Sequence, residues 1–490
     1  MLQRNDALSR IELSLIVGLG IVIFAFGWIV LNRSAFLQNR HTDAGVYFRA
    51  AWAVQSGTSI YQAKDDNGWP YVSTPFLAIL LTPLGDPPAG TPPEKRGYSL
   101  PYPASIAVYY AISVAALFGA MHILASAIEG QSGGPNSRLP QRYGRQWWAL
   151  RLAPILIGAP MLGATLSRGQ PTTLILLCLA AMTAAFMRGR SASAGWWLAA
   201  AICIKVFPAY LLLYPLWRRD VRCLTTCSAG VLLGLCVLPA AIMGPATTIA
   251  SYQEYFQLFL LPAFTGADNM SVPDGPWDEI HGHIQSFKAV LFGIVNFFSA
   301  ETFTVIPRIF WIAHLALSGV MTIVALLAAG GWKRPFDSPD DADVGLRSLL
   351  FAGILSTGVL PMIPASRDHY FALGTILLIG LVAMAWKRYG PLRLSTGWVA
   401  LFGAIFALQI AVQVPRLISV GDIGNVIWAE LILWSAGVYQ LWKLTGPLQK
   451  GGYPQKFRKV LNDIRLWLTL YSYVGRLSMS APGHRLKYST

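Results

Sequence analysis

Charge is scarce in this chain. Of 490 residues, 12% are Asp, Glu, Lys or Arg, against about 25% in an ordinary soluble domain. Apolar residues replace them, at 54% of the total. They come in long blocks, which excludes a soluble globular protein and indicates a polytopic membrane protein. Cysteine is scarce too. Cys178, Cys203, Cys223, Cys227 and Cys236 lie within or at the ends of apolar runs. No His completes a metal-ligand spacing with them, so neither a disulfide framework nor a zinc site is implied. A Gly-rich phosphate loop is absent, and so is an internal repeat, which weighs against an inverted-repeat transporter.

Acid is rarer than base, with 23 Asp and Glu against 38 Lys and Arg, a net charge of +15. That excess does not imply nucleic acid as a partner, because most of it sits in short loops and a basic tail. This is the distribution of a positive-inside membrane protein.

Residues 11–31 form a first span, too long for a signal-peptide core, with the N-terminus expected in the cytoplasm. An outer segment, 32–103, follows. In it Thr42 or Asp43 can cap a helix that Gly57 ends. Its apolar insert, 76–84, is too short to cross a bilayer, and the dense prolines from Pro70 to Pro103 forbid a long regular helix. Further spans are expected at 104–128, 147–166, 172–187, 223–243, 303–329, 347–363, 369–386, 397–414 and 426–442. A second outer segment covers 244–302, with an aromatic stretch at 252–261 suited to the interface. The run 194–217 has basic residues at both ends and is broken by Lys205 and Pro208. It reads as a hairpin dipping in from the cytoplasm with Lys205 near its tip. The expectation is therefore an all-α protein of about 10–12 spans with re-entrant or interfacial helices. A membrane domain, 1–443, precedes a cytoplasmic tail, 444–490, whose 457–477 part reads as an amphipathic surface helix binding membrane lipid.

Four polar islands interrupt the apolar chain on the outer side or at depth: Asp43 with Tyr47, Arg168 with Gln170, Lys205, and Arg367-Asp368-His369. Ionisable residues in or near the membrane are costly, by about 2.5–3.5 kcal/mol at a helix centre, and functional by default. Asp43 and Tyr47, four apart, share one helix face. One carboxylate among several cations suits an anionic substrate plus a proton to be removed. Each island also has a structural reading. Asp43 can be a helix cap, Arg168 and Arg367 can be solvated or snorkelling, His369 can be an interfacial histidine, and Asp368 can pair with its neighbour Arg367. Lys205 lies in an apolar run without a nearby exit, which makes a bland role harder to sustain. Glu279, His281 and His283 are close in sequence, but their spacing is not specific for a metal.

The order of motifs along the chain carries a resemblance. Asp43 with Tyr47 after the first span comes first, then Gly57-Thr58-Ser59-Ile60-Tyr61 and Tyr71-Val72-Ser73-Thr74-Pro75 with Pro83-Leu84. Gly169-Gln170, Lys205-Val206-Phe207-Pro208 with Arg218-Arg219, Gln285-Ser286-Phe287 and Arg367-Asp368-His369-Tyr370 follow. Taken in sequence they resemble GT-C membrane glycosyltransferases and are most similar to glycosyltransferase family 87. That family includes polyprenol-phosphate-mannose-dependent mannosyltransferases. Ile284 stands where the family often has Asn, and the Tyr-Pro-Pro segment is reduced to Ser-Thr-Pro. The resemblance implies a hexosyltransferase in the cell membrane with its active site on the outer face and both termini cytoplasmic. It implies transfer, with inversion, of a hexose such as mannose from a polyprenyl-phosphate sugar to a lipid or glycan acceptor. On that reading Asp43 is the general base. Arg168, Lys205, Arg367 and His369 hold the donor phosphate, and Tyr47, Gln170 and Gln285 contact the sugar or acceptor. No cofactor or metal is called for, because the lipid-phosphate donor is itself a substrate. The alternatives are a transporter or flippase of a lipid-linked or anionic substrate, in which Asp43 is dispensable, and an assembly partner, in which all four islands tolerate alanine.

Overall fold

The computed structural model describes residues 10–32, 42–97, 100–131, 144–261, 284–298, 308–330, 343–390, 392–411 and 424–445. Glu279, His281, His283 and the tail from residue 446 lie outside the described residues. Among those described the chain is all-α, and its β-pairing is limited to two isolated bridges, Lys64 with Pro70 and Ile284 with Arg367.

The 22 residues of α1 (Arg10–Leu31) extend about 33 Å, enough to cross a bilayer. α2 (Asp43–Ser56) ends at Gly57, whose φ of 69° is the left-handed conformation that suits glycine at a helix stop. Its Ala-rich face is buried against α3 (Pro75–Leu80), a six-residue helix with Pro75 in its first turn. The apolar insert thus forms a short buried plug rather than a span. Arg49 fastens α2 to this outer segment. Its buried guanidinium donates to the carbonyls of Lys64 (3.0 Å) and Asp86 (2.9 Å) and to the Asp66 carboxylate (2.7 Å).

α4 (Tyr102–Gln131) is a full span. The next expected helix is broken. α5 (Arg145–Ile157) and α6 (Ala159–Arg168) meet at Gly158 with a bend of 71°. Pro154 and Pro160 flank that break, and a proline both lacks the N–H of the helix ladder and crowds the carbonyl four residues back. α5 is tied to α4 by Arg151, which makes paired bonds to Glu129 at 2.7 and 3.0 Å and covers the Trp147 ring at 3.7 Å.

α7 (Thr172–Met187) leads to α8 (Ser191–Ile204). Lys205 leaves the helix in an extended conformation, and a 3-10 turn at Phe207–Leu212 and α9 (Leu213–Arg218) follow. α10 (Val221–Leu232) then packs along α8. Gly195 lies against Cys223 and Thr226, Ala199 against Gly230, and Cys203 against Gly234. These contacts advance together along both helices, so α8 and α10 are parallel and residues 205–220 return to the end where α8 began. The hairpin expected from the basic flanks is therefore what the chain forms. The glycines at these crossings let the backbones approach closely.

α10 continues through a π turn at Leu233–Val237 into α11 (Leu238–Met243). Pro239 cannot donate to Leu235, and the Leu235 carbonyl accepts instead from Tyr252 Oη at 2.5 Å. Tyr252 belongs to α12 (Pro245–Tyr255), whose following π turn, Phe256–Leu260, completes the aromatic stretch. After α13 (Phe287–Phe298) and α14 (Arg308–Ala328) come α15 (Val344–Gly358), a 3-10 segment at Asp368–Gly374 and α16 (Thr375–Tyr389). α17 (Thr396–Ala411) and α18 (Asn425–Thr445) close the described chain.

Among the described residues five helices are long and apolar enough to cross a membrane, or six counting the α5–α6 pair, and three more are apolar but shorter. The protein is thus an all-α, multi-pass membrane protein. In the most apolar windows of Val344–Met362 and Asp368–Tyr389, 83% and 89% of residues are buried, against 17% for Val221–Met243 and Arg308–Ala328. The first two are the bundle's centre and the last two its lipid-facing edge.

One end of the bundle gathers basic segments. Gln131 Nε2 donates to the Met187 carbonyl at 2.7 Å, Trp217 Nε1 to Gly330 at 3.0 Å, and Arg218 reaches Ser348 Oγ at 3.4 Å. The turn after α6, the tip at Lys205 and the segment at 366–370 sit at the opposite end.

A cysteine placed at Arg222 is expected to react with an impermeant maleimide from the same membrane side as one placed at Arg188. Labelling from opposite sides would refute the hairpin. Arg49→Ala is expected to cost about 3 kcal/mol, read as a lowered midpoint of thermal unfolding, because two carbonyls and a carboxylate lose a buried donor.

Candidate active site

Gln170 is the centre of the polar interior. It follows Gly169, whose φ of 66° caps α6, and it precedes the first turn of α7. A side chain at Gly169 would place its Cβ 2.7 Å from the Ala44 Cβ. Glycine here allows the left-handed turn and lets α2 approach it.

Across that contact Gln170 Nε2 donates to Asp43 Oδ2. Asp43 is the first residue of α2, where the positive end of the helix dipole favours a carboxylate. The cap reading of Asp43 is corrected. Thr42 occupies the cap position without a side-chain cap bond, and Asp43 lies inside the first turn with its carboxylate directed to Gln170. Tyr47, one turn on, donates its hydroxyl to Gln170 Oε1 at 2.8 Å. Burial pushes the Tyr47 hydroxyl well above the usual phenol range, and the charge of Asp43 adds to this, so the group is a proton donor.

Lys205 reaches the same amide. Its Nζ donates to Gln170 Oε1 at 3.3 Å and to Tyr370 Oη at 2.7 Å, and lies 4.4 Å from the Tyr370 ring centroid. The residue is 6% exposed. It stands at the C-terminus of α8, where the helix dipole favours a cation. Thr74 Oγ1 donates to the Cys203 carbonyl, satisfying one acceptor of that helix end.

Arg168 behaves differently. Its guanidinium nitrogens lie 3.4 Å from both oxygens of Asp368. Asp368 is thus paired with a residue 200 positions away. The backbone N–H of His369 also donates to Asp368 at 2.9 Å, and the His369 ring lies 3.6 Å from the same carboxylate. Thr165 Oγ1 donates to the His369 carbonyl at 2.7 Å and holds this segment on α6. Asp43 is near enough for its charge to act on the His369 ring and on Tyr109 of α4. Gln285 N donates to the Ser366 carbonyl at 2.6 Å, and the Ile284–Arg367 bridge sets Arg367 alongside. Gln285 therefore supports the 366–370 segment through its backbone.

Asp43, Tyr47, Gln170 and Lys205 thus form one hydrogen-bonded group, and Arg168 and His369 sit beside it around Asp368. Two residues are given no role in sequence. Tyr370 belongs to the late Arg367-Asp368-His369-Tyr370 motif but is not named there as a site residue. Tyr109 lies in an apolar run and carries no signal. The arrangement can accept a proton at Asp43 and face an anion with Lys205.

The sequence model of glycosyltransferase family 87 matches residues 71–361, more than half of the chain. No curated protein and no solved structure matches significantly. Gln170 and Lys205 fall within the matched region. Asp43, Tyr47 and the 366–370 segment fall outside it.

Gly169→Ala is expected to lower transfer activity at least tenfold while leaving every polar side chain in place, measured against wild type in membranes of matched expression. Unchanged activity would show that the approach of α2 to the turn is not needed.

Proposed function

The chain belongs to glycosyltransferase family 87, a family of glycosyltransferases, and from that premise we propose that it moves a hexose from a polyprenyl-phosphate sugar to a hydroxyl of a lipid or glycan acceptor. The face that carries Asp43 and Lys205 is the reaction face, on the outer side of the cell membrane, and mannose is the sugar implied by the family resemblance. The observation that carries the reading is a carboxylate and a buried ammonium held on one amide, Gln170, without forming an ion pair with each other among the described residues.

In the proposed reaction the acceptor hydroxyl gives its proton to Asp43 as its oxygen attacks the anomeric carbon. The bond from that carbon to the phosphate oxygen breaks on the opposite face, which gives inversion. The electron pair leaves with the lipid phosphate, and the charge that develops there is what a fixed cation stabilises. Lys205 suits that role best. Both of its hydrogen-bond acceptors, Gln170 and Tyr370, are neutral, so its charge is not cancelled. Arg168 is already engaged by Asp368 and contributes less field to an incoming phosphate. His369 and Arg367 complete the anion-holding side, and Tyr47 and Gln285 shape the sugar and acceptor walls.

Asp43→Asn and Asp43→Ala are expected to preserve expression and folding and to reduce transfer from a radiolabelled polyprenyl-phosphate hexose at least a thousandfold. Wild-type-like transfer by Asp43→Ala would overturn the assignment of the base. Substrate translocation without formation of a glycosidic bond would favour a flippase instead.

A further inference from the structure

We infer that Gln170 is a positioning residue for the base: an amide spacer that orients the Asp43 carboxylate and keeps it from neutralising Lys205. The inference rests on the reading of Asp43 as the base and reassigns Gln170 from contact with substrate.

The direction of the Gln170 amide is dictated by chemistry. An ammonium can only donate, so Lys205 Nζ at 3.3 Å must face the amide oxygen. Tyr47, a protonated phenol at 2.8 Å, donates to the same oxygen. With its oxygen claimed twice, the amide has its NH2 group left for Asp43, which is what a carboxylate requires. The reverse orientation would set NH2 against an ammonium and a carbonyl oxygen against a carboxylate. Lys205 therefore fixes the geometry of Asp43 through Gln170, across segments 162 residues apart.

The spacer has an electrostatic purpose. A direct Lys205–Asp43 pair would hold the carboxylate in its charged form and make it a poorer base, while cancelling the cation meant for the phosphate. With the amide between them, one oxygen of Asp43 is anchored, and proton transfer is assigned to the other. The groups facing Asp43 are Tyr47 from α2, Tyr109 from α4, Gln170 and Lys205, with His369 and Tyr370 from the late segment and the Arg168–Asp368 pair beyond. None of these is a second carboxylate in direct contact with Asp43 among the described residues.

Gln170→Glu keeps the size of the side chain and its acceptor for Tyr47 and Lys205, but it sets a carboxylate against Asp43. Two adjacent carboxylates do not both ionise easily, so one proton is retained to higher pH. The acid limb of the kcat profile of purified enzyme is expected to move up by at least one pH unit, with activity partly regained at high pH. The KM for the polyprenyl-phosphate donor is expected to rise because Lys205 is then neutralised. A lowered rate with an unmoved acid limb, or folded protein inactive at every pH, would overturn the inference while leaving Asp43 as the base. Asp43→Asn measured in parallel separates the two: an active Asp43→Asn enzyme overturns the reading of the base itself. If Gln170→Glu does not yield folded protein, Tyr47→Phe carries the test. It removes one donor to Oε1 without a change of charge, and a two- to tenfold loss in kcat that exceeds any change in donor KM supports the inference. An unchanged kcat overturns it.

Discussion

The burial of one ammonium group organises this protein. Lys205 is 6% exposed in a bundle whose interior is otherwise largely apolar, a placement that costs about 2.5–3.5 kcal/mol before partners are found. Everything near it lowers that cost. The chain breaks the helix at Lys205, so the ammonium sits at a helix C-terminus. Gln170 and Tyr370 accept its hydrogen bonds. The hairpin returns within 16 residues, so that the polar tip stays at one end of the bundle while the apolar flanks fill the middle. Removing the cost altogether with an apolar residue would be easy for a purely structural element, and its retention fits a site where charge is used.

The partners come from distant parts of the chain because membrane geometry leaves few alternatives. Helix ends are where polar groups and breaks can be accommodated, so the turn after α6, the tip after α8 and the start of the 3-10 segment before α16 all occur at the same end. Backbone groups freed there are taken up locally. Thr165 donates to the His369 carbonyl, Thr74 to the Cys203 carbonyl, and Gln285 to the Ser366 carbonyl. Each of these bonds joins a site-bearing turn to a different element, so that the site's geometry is held by the packing of the whole bundle rather than by one loop.

What could be read in the sequence follows from the same physics. In a chain with 12% charge, Lys205 stands out within an apolar run, Arg168 in a short turn between two apolar runs and Asp43 as the first acid after the first span, and basic flanks on both sides of 194–217 favoured a hairpin over a full span. Pairing was harder to read. Asp368 has Arg367 beside it in sequence, and nothing in the sequence marks Arg168, which α6 brings to Asp368 from 200 residues away. The α5–α6 bend was equally hidden, since hydropathy is continuous across Pro154, Gly158 and Pro160 and only backbone chemistry marks the break. Nothing in the sequence marks Arg49 and Arg151 as interior residues. Both are buried, because their hydrogen-bond partners lie on neighbouring segments whose approach is a tertiary property.

The boundary of the family match sharpens the division of labour. Residues 71–361 include the amide and the ammonium. The carboxylate they orient arrives on α2, ahead of that region, and Tyr370 and the Asp368–Arg168 pair complete the site from beyond it. On the proposed reading the base comes from outside the matched region, and Gln170, itself contacted by Lys205, fixes one oxygen of its carboxylate. The proposed order of dependence therefore runs from the buried cation to the amide and from the amide to Asp43. If Asp43 and Lys205 have the roles proposed for them, a change at Lys205 disturbs both the phosphate side and the proton side of the reaction, whereas a change at Asp43 leaves the contact of Lys205 with the amide oxygen in place.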